Sequence, residues 1–142
     1  MNSTKPVYFQ SRFEKLRGSN DKEVFYEARR VFRRYDNKRR LPYVRSKYFG
    51  GQKVFLNMFY THLGQKSPKE QRKRIAFVAC AIDLLKNTRI APLFSDGFDG
   101  RKGEYYRFQG MTKSGEKFAV QVTKDKKNNR YFMSCFPIRD FK

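Results

Sequence analysis

The sequence predicts an α+β domain in which N-terminal helices pack on a C-terminal antiparallel β-meander. Two capped segments with helically spaced apolar residues lie between residues 21 and 87, and three strand-like segments, separated by turn residues, follow residue 103. At 142 residues the chain is one domain by length, and a chain of that size buries roughly 68–70% of its unfolded surface.

The first 18 residues are mixed and end at Gly18, after which Ser19, Asn20 or Asp21 can cap a helix by accepting from its free N–H groups. In DKEVFYEARRVFRRYD, residues 21–36, one apolar stripe is made by Val24, Phe25, Ala28, Val31, Phe32 and Tyr35. Arg29, Arg30, Arg33 and Arg34 occupy or flank the other face. Residues 41–60 read as extended or irregular, because Pro42 biases Leu41 away from helix and Gly50-Gly51 supplies a turn. S-P-K-E at 67–70 is a capping box with proline at the first helical position, and a single helix is expected from Pro68 to about Asn87. Its first turns are basic at Lys69, Arg72, Lys73 and Arg74. A glycine-rich loop, SDGFDGRKG, precedes strands expected at 104–110, 116–123 and 130–138. Alternation turns Phe118, Val120 and Val122 inward and Lys117, Ala119, Gln121 and Thr123 outward, and sets Tyr106 and Phe108 against Tyr105, Arg107 and Gln109. The third strand is apolar on both faces, which leaves Ser134 unassigned.

Charge speaks to partners. With 33 Lys and Arg against 13 Asp and Glu, the net charge of +20 exceeds what solubility needs and predicts an anionic partner. Nine Tyr and fifteen Phe interleave with the cations, and rings that stack on bases favour nucleic acid over a membrane surface. From Arg29 to Arg40 there are seven basic residues and one acid, Asp36, a run that suits phosphate contact or a solvated face. Cys80 and Cys135 sit in apolar runs, as buried thiols do in a reducing compartment. No apolar stretch is long enough to span a bilayer and the first residues lack a signal-peptide core, so the expected location is cytoplasmic.

Nucleotide-binding loops of the G-x-x-x-x-G-K-[ST] and G-x-G-x-x-G types are absent. One histidine and two distant cysteines cannot build a zinc site, and the acids do not cluster as a two-metal nuclease requires, so neither metal nor cofactor is expected. The remaining kit of His62, cations, hydroxyls and Tyr is that of a metal-independent ribonuclease, which needs a base for the ribose 2′-OH, an acid for the leaving oxygen and cations on the phosphorane.

A histidine followed by a basic helix, then LLKNTRIAP, then a meander ending in YFMSCFPI, resembles the superfamily that unites barnase, EndoU, colicin-type tRNases and RelE toxins, and most of all its phage-associated branch. The resemblance covers about Lys53 to Ile138, leaving residues 1–52 as a basic helical extension to a nuclease core at 53–142. It implies an active site on the exposed sheet face, with catalytic work shared by His62, Lys66 or Arg72, Arg107, and Thr123 or Ser134. Around them, phosphate and base contacts are expected from Arg29, Arg30, Arg33, Arg34, Lys66, Lys69, Lys73, Arg74, Tyr105, Lys117 and Gln121. The leading expectation is a toxin-type ribonuclease acting on tRNA, mRNA or ribosomal RNA. A non-catalytic RNA- or DNA-binding protein of phage or mobile-element origin is the alternative, and docking to an acidic antitoxin or immunity protein is a third.

Overall fold

Asn20 starts the first helix by accepting from the Glu23 N–H at 3.0 Å, while Ser19 donates to the Glu23 carboxylate through its N–H and its hydroxyl. The computed structural model describes residues 7–96 and 104–138. Within them run β1 (Phe9–Gln10), α1 (Asp21–Arg33), β2 (Tyr43–Ser46), β3 (Gln52–Phe55), α2 (Met58–Leu63), α3 (Pro68–Ile75), α4 (Val78–Asn87), β4 (Leu93–Asp96), β5 (Glu104–Met111), β6 (Lys117–Lys124) and β7 (Arg130–Pro137). The α1 stripe forms as its spacing dictates: Val24, Ala28 and Phe32 are buried, and Phe25, Val31 and Tyr35 pack partly against the core.

The fold is mixed α+β, and the meander β5-β6-β7 is antiparallel as expected. The sheet around it is larger and is not wholly antiparallel. Its order is β1-β5-β6-β7-β3-β2, with β4 also paired to β5; β1 runs parallel to β5 and β3 parallel to β7. The stretch 41–60, expected to be extended or irregular, holds the β2–β3 hairpin, closed by Gly50 and Gly51 at φ 69° and 87°, values that favour glycine, but from Met58 it is helical and opens α2. That hairpin straddles residues 52 and 53, so the sheet draws strands from both sides of the boundary the resemblance implied.

The expected single helix from Pro68 to Asn87 is two helices. Ala76 ends α3, and its carbonyl accepts from the Leu16 N–H at 2.7 Å instead of continuing the ladder. The break swings Phe77 onto Phe118, with ring centroids 5.6 Å apart. The capping box forms by half: Ser67 accepts from the Glu70 N–H at 3.2 Å, but the Glu70 carboxylate pairs with Arg74 at 3.3 Å.

All the helices serve one face of the sheet, here called inner. Phe59 of α2 stacks on Phe132 at 4.8 Å, Phe77 covers Phe118, and a Cβ on Gly110 would stand 2.9 Å from Leu84 of α4. Phe118, Val120, Val122, Phe132 and Cys135 are fully buried beneath them. The N-terminal segment is clamped at buried Asp83, which accepts from the Ser11 hydroxyl (2.8 Å), the Arg12 N–H (3.1 Å) and the Asn87 amide (2.8 Å). Both cysteines are buried and free, and burial pushes the Cys80 thiol up to about 11. No helix among the described residues is long and apolar enough to cross a membrane.

Candidate nucleic-acid interface on the outer sheet face

Side chains of cross-strand partners lie on the same face of a sheet. Tyr105 of β5 pairs with Thr123 of β6, Thr123 with Tyr131 of β7, Tyr131 with Phe55 of β3, and Phe55 with Tyr43 of β2. Five adjacent strands therefore carry four aromatic rings and one threonine in a single row on the outer face. Phe55 lies 5.7 Å from Tyr131 and 6.2 Å from Tyr43 between ring centroids. At the usual strand spacing the row is about 19 Å long. Burial, and then the Asp125 carboxylate, push the Tyr131 phenol up, which keeps this ring neutral. The Thr123 hydroxyl is buried with no hydrogen-bond partner.

Cations frame the row at its β2 end and along its β5–β7 half. Arg40, Lys53 and Arg45 stand 4.4, 4.7 and 5.5 Å from the centroid of the Tyr43 ring. Beside the β5–β7 half runs a second row, Arg107–Gln121–Ser134. Ser134 reaches the outer face because β7 bulges: Gln121 pairs with Ser134 and Val122 with Phe132, leaving Met133 as the extra residue. Arg74 arrives from α3 and donates to the Ser134 hydroxyl at 2.7 Å, and its guanidinium and that of Arg107 lie 5.2 and 5.3 Å from the Phe136 ring.

The residues singled out in the sequence divide accordingly. Arg74, Tyr105, Arg107, Gln121, Thr123 and Ser134 come together on this face, and Lys117, on the same strand face, stands 5.0 Å from the Tyr8 ring. Ala119 faces the same way but is fully buried. Arg72 instead pairs with Asp21 at 3.5 Å and Lys73 with Glu70 at 3.9 Å, turned towards α1 and their own helix. Lys66 and Lys69 stay at the start of α3. Arg29, Arg30, Arg33 and Arg34 are exposed on α1, which packs on α3 and α4, so they belong to the side of the molecule away from the row; Arg30 pairs with Glu27 at 3.2 Å.

His62 precedes the basic helix α3, as expected, and itself lies in the last turn of α2. That helix packs through Phe59 on the inner face, whereas Arg107, Gln121 and Thr123 stand on the outer one. Sequence reasoning missed Tyr43, Arg45, Lys53, Phe55, Tyr131 and Phe136. Their signal was present: Y-V-R and K-V-F flank a Gly-Gly turn, each with a buried valine between two outward residues.

No protein-family model matches the chain, and no curated protein or solved structure matches it.

Proposed function

We propose that the protein binds single-stranded nucleic acid on the outer face of its sheet, with RNA as the expected ligand. The observation that carries this reading is the row of four rings edged by Arg40, Arg45 and Lys53 at its β2 end and flanked along its β5–β7 half by Arg107 and Arg74. Aromatic platforms bind bases because every base has a π-face, and the cations take the backbone between them. A row of about 19 Å accommodates about four nucleotides, the low end of single-strand site sizes. A duplex keeps its bases stacked on one another and cannot use the rings.

The test is fluorescence anisotropy with an oligouridylate and with a duplex of equal length. Tyr131→Ala should weaken the single strand by about 1–3 kcal/mol and leave the duplex unchanged. Equal affinity for both forms, unaltered by Tyr131→Ala, would reject the platform. An acidic protein partner would likewise use the charge and ignore the rings.

Metal-independent cleavage is a second reading, favoured by one contact. Arg74 holds the hydroxyl of Ser134 and shares the Phe136 ring with Arg107, so a phosphate beside that ring would meet two guanidinium groups, the electrostatic half of phosphoryl transfer. The acid-base half is not in that row: His62 lies in α2, which packs on the inner face, and could act only on a phosphate held there.

A further inference from the structure

Where the β2–β3 hairpin meets the β6–β7 turn, the outer face opens into a cavity of about 510 Å³. Arg45, Gln52, Lys53, Phe55, Asn128 and Asn129 line it, together with the glycine turn of the hairpin. Phe55 belongs to the aromatic row, so the cavity continues the platform at its side. The wall includes one ring, two cations and the two asparagines of the β6–β7 turn. Arg45 donates to the Gly51 carbonyl at 3.0 Å, which fixes its guanidinium at the rim with further N–H groups to spare. Asp125, the acid of the β6–β7 turn, is occupied by the N–H groups of Lys127 and Asn129, both at 2.9 Å. Asn128 sits at φ 68°, in the left-handed region that asparagine tolerates, and this sharp turn brings its side chain to the cavity.

A cavity within the ordinary range for small ligands, lined by donors and closed on one side by a ring, suits one chemical class. We infer that it holds one nucleotide of the bound strand, the phosphate between Arg45 and Lys53 and the base against Phe55. Charge-assisted hydrogen bonds to two cations supply the affinity, and the amide of Asn128 meets the polar edge of the base. This inference rests on the platform reading and assigns it a subsite. The phosphate is either a terminal monoester or an internal diester of the strand, and the two are separable by experiment.

The probes are hexauridylates with a 5′-phosphate, with a 3′-phosphate, or with hydroxyls at both ends, titrated into the full chain while its backbone amide resonances are followed. Gly50, Gly51, Asn128 and Asn129 should shift together with Gln121 and Ser134. Arg45→Gln/Lys53→Gln should abolish the first set, retain the second and lower affinity about tenfold. A loss confined to one phosphorylated probe assigns the cavity to a strand end, and an equal loss for all three assigns it to an internal phosphate. Asn128→Gly, which suits the positive φ and so leaves the turn unstrained, should weaken the same probes about threefold. If Gln121 and Ser134 shift while the turn amides do not, the subsite is wrong and the platform stands. If the turn amides alone shift, the subsite stands and the platform falls. No shift at either place rejects both.

Discussion

Arg74 of α3 donates its hydrogen bond to Ser134 from beside β7, where β3 no longer pairs: β3 meets β7 only at Arg130 and Tyr131. An arginine rooted in the helical layer thereby delivers its charge to the opposite face of the sheet. Ser134 is 3% exposed, so the bond lies largely out of water, and a buried hydroxyl that loses a charged donor is left unsatisfied. Arg74→Met, which keeps the apolar stem, should cost about 1.5–3 kcal/mol in urea unfolding. Ser134→Ala should cost less in the Arg74→Met background than alone, with a coupling of at least about 0.5 kcal/mol. Additive losses would mean that the contact contributes nothing to the fold.

The Asp83 carboxylate gathers three donors from two segments, and without it Ser11 and Arg12 lose their acceptor while Asn87 keeps only the Asp83 carbonyl, at 3.1 Å. Asp83→Ala should destabilise the protein by about 1.5–3 kcal/mol, the usual scale for hydrogen bonds to a charged group. Amide hydrogen exchange over residues 9–16 should accelerate more than exchange in β6. Uniform acceleration would show that the carboxylate supports the whole core and not the N-terminal segment in particular.

The placement of α1 gives a prediction in salt. For a hexanucleotide confined to the outer face, Arg107→Gln should reduce the log-log salt slope by about 0.7, one phosphate's share on a single strand. Arg33→Gln/Arg34→Gln should leave the slope where it was, because those side chains lie beyond the helical layer. A flatter slope in the double variant would place α1 on the path of the strand.

His62→Ala distinguishes binding from cleavage. Affinity for oligouridylate should be unchanged, since α2 packs on the inner face. If the wild-type protein cuts RNA in the presence of EDTA and the variant is at least about a hundredfold slower, the imidazole is the acid-base group and the scissile phosphate lies beside α2, not in the Arg107–Gln121–Ser134 row. Absence of cleavage by the wild type leaves binding as the function.

The helix α1, the helical run from Pro68 to Asn87 and the meander were legible because each rests on local rules, whereas α2 lies partly in a stretch expected to be extended or irregular. The Asn20 and Ser67 caps, the α1 stripe, and the alternation that buries Phe118, Val120 and Val122 can all be read within a dozen residues. The break between α3 and α4 was not, since Ala76 gives its carbonyl to Leu16, sixty residues away in sequence. Nor were the parallel pairings of β1 and β3, whose partners lie far along the chain. Half of the candidate site suffered for the same reason. Arg107, Gln121 and Thr123 sit on meander strands whose alternation sets their faces, whereas Ser134 is placed by the β7 bulge and Tyr131 joins Phe55 and Tyr43 only through the β3–β7 pairing. His62 misled because one histidine near a basic helix says nothing about which side of the sheet that helix will take.

The β3–β7 pairing also sets an order of assembly. Phe55 waits for Tyr131, and β1 waits for β5, so contacts of long sequence separation close the sheet at both ends. Such contacts repay their loop entropy late in folding. On the ribosome, β2 and β3 emerge long before the strand that joins them to Tyr105, and in that interval the chain has its cations but no continuous row of rings. A polypeptide that ends before residue 130 would attract RNA by charge alone; discrimination between single strand and duplex would arrive with the last strand to be made.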